Sequence, residues 1–141
     1  MLVNLGSDNE VTQVYHNKVM KNHHGGVIRI EDHVYGYSDG RGWICQNLQS
    51  GEMVWNEKNS LGKGSISYAD GMFYCLDKDS GTCVLIKATT DGWEEHGRFT
   101  IDPQTEQRKP DGRIWTHPVI ANGRLYLRDQ EIICCYDILA K

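Results

Sequence analysis

The side chains of this 141-residue chain that could do chemistry lie in short polar segments between apolar ones. His23-His24 follows Asn22, Lys63 stands between two glycines, Trp115-Thr116-His117 precedes a proline, and Arg128-Asp129 closes an apolar run. Imidazoles and cations gathered at one mouth would suit an anionic ligand. His24, Lys63, Trp115, His117, Arg128 and Asp129 are therefore the candidate ligand-binding residues. The plainer alternative is that these are solvated loop ends. His23-His24 with His16 or His117 lacks the fixed strand or helix spacing of a metal site, so no metal ligand is assigned. No Ser–His–Asp spacing, paired-carboxylate signature or phosphate-cradling glycine loop stands out, and no catalytic residue is assigned. The glycine-rich stretches are explained by hairpins.

Five cysteines, Cys45, Cys75, Cys83, Cys134 and Cys135, fall inside apolar runs and lack the paired spacing of a zinc ribbon. They read as small buried hydrophobes. Cys134 and Cys135 are adjacent, but successive side chains of a strand point to opposite faces, which opposes a disulfide between them.

The elements that must hold these groups repeat. Glu31-Asp32-His33-Val34-Tyr35, Ala69-Asp70-Gly71-Met72-Phe73-Tyr74 and Ala121-Asn122-Gly123-Arg124-Leu125-Tyr126 each join two apolar runs through a tight hairpin signal. Asp32 and Asp70 are 38 residues apart, Asp70 and Asn122 are 52 apart, and the longer step contains the polar insertion 102–112. Without the insertion that step is about 41 residues, inside the window of propeller-blade repeats. Helical periodicity is nearly absent. The chain reads as all-β, with blades over about 25–58, 63–101 and 114–138, the insertion as a solvated loop and residues 1–9 as a flexible N-terminus. Tyr35, Tyr74 and Tyr126 recur in register and, with Trp43, Trp55 and Trp93, read as packing residues.

Three four-stranded blades are too few to close a propeller. The third lacks its fourth strand, whereas the strand Glu10–Tyr15 has no partner before it. Two arrangements are expected to repair both deficits. The chain is an incomplete propeller continued by further blades of a longer protein, or two copies pair, Glu10–Tyr15 of each completing the other's last blade in a ring of about six.

Net charge is −4 with a pI near 5.8, which argues against nucleic acid and anionic membrane as partners. Mean hydropathy is −0.55. No apolar run approaches the ~20 residues that span a bilayer, and Met1–Gly6 lacks the pattern of a signal peptide.

Cys45-Gln46-Asn47-Leu48-Gln49-Ser50-Gly51-Glu52-Met53-Val54-Trp55 resembles the tryptophan-docking motif of the pyrroloquinoline-quinone-like (PQQ-like) β-propeller repeat, Ala-x-Asp-x-x-x-Gly-x-x-x-Trp. Cys45 stands for the Ala, Asn47 for the Asp, and Gly51 and Trp55 match outright. Cys135-Tyr136-Asp137 is similar to the start of the same motif, and His117–Tyr126 to a first hairpin of the family. In the second blade Ala88 and His96 align with the Asp and Trp positions. The resemblance covers roughly residues 10–140 and is closest to the C-terminal part of larger bacterial proteins. It implies that Trp55 stacks between neighbouring blades, and it suggests a periplasmic or extracellular location. Two functions follow. The favoured one is a non-catalytic scaffold or binding module for a protein, carbohydrate or small anionic ligand, with no cofactor. The other is a quinoprotein dehydrogenase-like oxidoreductase, with PQQ and calcium at the channel mouth.

Overall fold

A computed structural model describes residues 1–139. Its thirteen strands form four antiparallel sheets, with no helix among the described residues and hence none long and apolar enough to cross a membrane. An N-terminal hairpin pairs β1 (Leu2–Leu5) with β2 (Val11–Tyr15). The first blade-like sheet contains β3 (Val27–Ile30), β4 (His33–Ser38), β5 (Gly42–Asn47) and β6 (Met53–Glu57), in that order. The second contains β7 (Gly64–Ala69), β8 (Met72–Asp77), β9 (Thr82–Lys87) and β10 (Glu95–Thr100). The third contains β11 (Val119–Ala121), β12 (Arg124–Asp129) and β13 (Ile132–Asp137). Meanders of this kind are what tight hairpins between short β-branched runs produce. The turns use Glu31, Asp70 and Asn122 at φ near +50°, the left-handed conformation that a two-residue hairpin loop needs.

Pairing puts the sheets in one common register. Ile30, Ala69 and Ala121 face His33, Met72 and Arg124, so Tyr35, Tyr74 and Tyr126 are equivalent. Side chains alternate between faces, and the tyrosines define a front face. The back face carries Val34, Phe73 and Leu125. Each front face packs on the next back face. Tyr35, Trp43 and Cys45 of the first sheet meet Phe73, Cys75, Val84 and Ile86 of the second. Leu76 and Cys83 of the second meet Leu125 and Leu127 of the third. The back face of the first sheet is covered by the N-terminal segment, where Asn17 Nδ2 donates to the Gly51 carbonyl at 2.8 Å. The front face of the third sheet has no cover among the described residues. Ile133 is 67 % exposed and Val119 56 %.

Innermost strands approach to backbone contact. The Ile66 amide donates to the Gly25 carbonyl at 3.0 Å, and a Cβ on Gly25 would collide with the Gly64 carbonyl. Main chains come this close only where a side chain is missing.

Four expectations need correction. Residues 1–9 are not frayed throughout, because Leu2–Leu5 pairs in register with β2. The strand at 11–15 therefore has a partner, and among the described residues the hairpin keeps one unpaired edge on each strand. The insertion 102–112 is not merely solvated. Gln104 Nε2 donates to the Ser80 carbonyl at 2.8 Å, and Arg108 pairs with the buried Asp129. In the second sheet the turn between the third and fourth strands is two residues longer, closing from Lys87 to Glu94 where the first sheet closes from Asn47 to Glu52, and this displaces the aligned motif by one residue at each end. Lys87, facing Met72, takes the place of Asn47, which faces His33. Gly97, facing Leu85, takes that of Trp55, which faces Cys45. Ala88 and His96 are the neighbours of those positions.

Candidate functional site

The register brings three of the candidate residues to one place. Counted back from the innermost strands, His24, Lys63 and Trp115 are equivalent, each two residues before the position of Gly26, Ser65 and His117. A β-strand start repeated three times around one rim delivers its preceding side chain to the same end each time. The His24 and Trp115 ring centroids are 4.3 Å apart, and the His23 and His24 centroids 3.7 Å. Lys63 Nζ lies 2.6 Å from Asp39 Oδ1 and 3.3 Å from His23 Nδ1. A lysine only donates, so His23 accepts through Nδ1 there.

Lys78 also belongs to this group, although it was not among the candidate residues. Its Nζ sits 5.7 Å from the Trp115 ring centroid and 2.8 Å from Asp79 Oδ2. Arg113, inside the stretch leading to Trp115, pairs with the other Asp79 oxygen. Its signal was available: Asp77-Lys78-Asp79 stands at the same strand-to-strand turn as Ser38-Asp39. Together His24, Lys63, Lys78, Ile114 and Trp115 line a recess of about 10 Å³, room for roughly one water. On the far side of Trp115, Arg113, Thr116, Arg128 and Gln130 line a shallower open cavity of about 210 Å³.

Charge at this mouth is largely compensated. Hydrogen bonding to Lys63 holds the Asp39 carboxyl below its ordinary range. The His24 imidazole is held below its ordinary range, first by desolvation and then by the charges of His23 and Lys63. His24 is thus a neutral stacking ring more than a cation. His117 stands beside the recess instead of lining it. Its Nε2 donates to the His24 carbonyl at 2.6 Å, which ties the entry of the third sheet to the entry of the first. Arg128 is exposed, and its Nε donates to the Gln130 carbonyl at 2.6 Å.

Asp129 faces away from the mouth. It is fully buried, accepting from the Thr105 amide at 3.1 Å and from Arg108 Nε at 3.2 Å. Ser38, Asp77 and Asp129 occupy one register position at the end of the second strand, and each binds main chain there. Ser38 Oγ donates to the Val19 carbonyl and accepts from the Lys21 amide, at 2.7 and 2.9 Å. Asp77 Oδ1 accepts from the Asp79 and Ser80 amides, both at 2.7 Å. These are loop anchors, and in Asp129 the anchor is aimed at the insertion.

The motif residues behave as packing and turn groups. Asn47 Oδ1 accepts from the Gln49 and Ser50 amides at 2.9 Å each, closing the turn to β6. Gly51 takes φ +74°, and a Cβ there would press on the Tyr15 ring and the Asn17 amide. Cys45 is buried against Tyr35. Trp55 Nε1 donates to the Thr89 carbonyl of the second sheet at 3.1 Å. Asp137 Oδ1 accepts from the Leu139 amide at 3.2 Å, beginning the turn that Asn47 completes. All five cysteines are thiols. Burial pushes Cys83 up to about 12 and Cys75 well above its ordinary value, so both are inert. Cys134 packs inward and Cys135 is exposed, on opposite faces of β13.

Among the described residues no group of three or more His, Cys, Asp or Glu is placed to hold a metal ion. No protein-family model matches this sequence, and comparison with curated proteins gives no match.

Proposed function

We propose that the chain is a non-catalytic binding module built as part of a PQQ-like β-propeller, and that its third sheet docks a second copy of the chain. One observation carries this reading. The tyrosine–cysteine pair that is sealed between sheets at Tyr35 and Cys45 recurs as Tyr126 and Cys135 on a front face that nothing described covers. The edge of β13 is likewise unpaired among the described residues, and a bare edge beside an apolar face invites strand addition. Sheets in this chain pack front to back, so the expected occupant offers a back face or an edge. The N-terminal hairpin offers edges, both outer ones unpaired among the described residues, and apolar side chains beside them, with Val11 64 % and Leu5 75 % exposed. Its acidic Asp8 and Glu10 complement Arg124 and Arg128 on the bare face. Trp55 bridging two sheets supports the family resemblance.

A quinone with calcium fits the mouth poorly. Calcium needs several free oxygen ligands, whereas Asp39 and Asp79 are engaged by Lys63, Lys78 and Arg113, and the recess holds roughly one water. No step through that cofactor is derived.

Light scattering across a dilution series tests the reading. The expected mass is twice the 16.1 kDa chain at high concentration, returning to one chain in Ile133→Glu. A folded, monodisperse monomer at every concentration would exclude the dimer.

A further inference from the structure

The two sheet-to-sheet interfaces differ at the position of Trp55. In the first, Trp55 fills the space between sheets, its indole N–H on the Thr89 carbonyl and its ring 6.1 Å from that of Tyr35. In the second, the equivalent residue is Gly97. The surrounding main chain is equivalent, although Leu85 replaces Cys45 in the facing strand. Ile138 replaces Ala88, and both amides donate to the hairpin glycine of their own sheet, Ile138 to Gly123 at 3.0 Å and Ala88 to Gly71 at 2.8 Å. Where the indole would lie there is an open, mainly apolar cavity of about 240 Å³, lined by Tyr74, Leu85, Gly97, Phe99, Leu125 and Ile138.

Nothing in the backbone demands glycine at 97. Its φ is not in the left-handed region, and a Cβ would meet nothing nearer than Leu85 Cβ at 4.0 Å. A side chain there would fit, so the cavity is not the by-product of a close approach. An apolar cavity of about 150 Å³ already suffices for a benzene ring, and this one is larger. We infer that the cavity at Gly97 binds a small planar aromatic molecule of about indole size, in the place that the Trp55 side chain takes one sheet earlier. The walls supply ring contacts from Tyr74 and Phe99 and aliphatic contacts from Leu85, Leu125 and Ile138. An edge N–H on the ligand would point as Trp55 Nε1 does, toward the chain leaving the third strand.

The test is titration of the full chain with free indole, followed by ¹H–¹⁵N spectra. Saturable shifts confined to residues lining the cavity are expected, with a millimolar or tighter Kd. Gly97→Trp should weaken binding at least tenfold while raising the melting temperature, and Gly97→Leu serves the same purpose if the larger ring disturbs folding. Trp55→Gly should open the corresponding slot in the first interface and raise the stoichiometry from one indole to two. Absence of saturable shifts, or binding unaltered by filling position 97, would overturn the inference. So would cavity resonances that move with protein concentration and not with indole, since the occupant would then be a second copy.

Discussion

Trp43 and Ile133 occupy the same place in the first and third sheets, as do Cys45 and Cys135, yet the first pair is sealed and the second is open. Trp43 is 1 % exposed and Ile133 67 %. Both strands pair in the same register with the strand before them, so the difference does not arise within that pairing. It arises from the neighbour. A front face becomes core only when a back face follows it, and stability in such a stack is a sum over interfaces more than over sheets.

The largest expected effect separates the two directly. Tyr35→Ala should cost about 3–5 kcal/mol in urea unfolding, as large aromatic truncations in cores do, whereas Tyr126→Ala should cost under about 1 kcal/mol at dilutions where the chain is monomeric. Equal costs would mean that the third face is covered after all. Next in size, Asp129→Ala should cost about 3 kcal/mol, the low end for breaking a buried ion pair on one side, because Arg108 keeps some solvent. Ser38→Ala, at the equivalent position, removes only neutral hydrogen bonds and should cost about 1–2 kcal/mol. Proteolysis within 102–112 should accelerate in Asp129→Ala and not in Ser38→Ala. A smaller effect concerns thiols. With the native protein, maleimide should modify Cys135 first and leave Cys45 intact, and raising protein concentration should slow the reaction if the front face docks. The smallest is a titration. Since the folded imidazole of His24 is depressed, its contribution is present above pH 6.5 and is lost as pH falls through the folded value. Its NMR midpoint should lie below 6.5 and rise in Lys63→Met; an unmoved midpoint would remove Lys63 from the mouth's electrostatics.

Much of the sheet organisation was legible in the residues. The hairpins at 31–32, 70–71 and 122–123 were visible because positive φ favours Asn, Asp and Gly, and the inner strands follow from them. The grouping of His24, Lys63 and Trp115 was partly legible: all three were candidates, but only the pairing of Val119 with Tyr126 puts Trp115, and not His117, in register with the other two. The strand Leu2–Leu5 was hidden, because a half-exposed strand with one partner carries little apolar signal. The displacement of the motif to Lys87 and Gly97 was hidden too, since two extra residues in the turn between Lys87 and Glu94 leave the strand patterns on either side unchanged. Asp129 looked like a loop carboxylate because its partner, Arg108, lies 21 residues away in an insertion that this contact helps to anchor.

The glycine at 25 has a consequence for anyone wishing to lengthen the molecule. Because a Cβ there would meet the Gly64 carbonyl, a cassette grafted in front of the second sheet must bring a glycine to its first inner position or push the rim apart. The second sheet's own sequence satisfies this, since it opens with Gly64. The third does not: Thr116 stands there, and a β-branched residue would wedge the splice. Recombinants built by repeating residues 63–101 should therefore assemble with native spacing, and those built by repeating 114–138 should not.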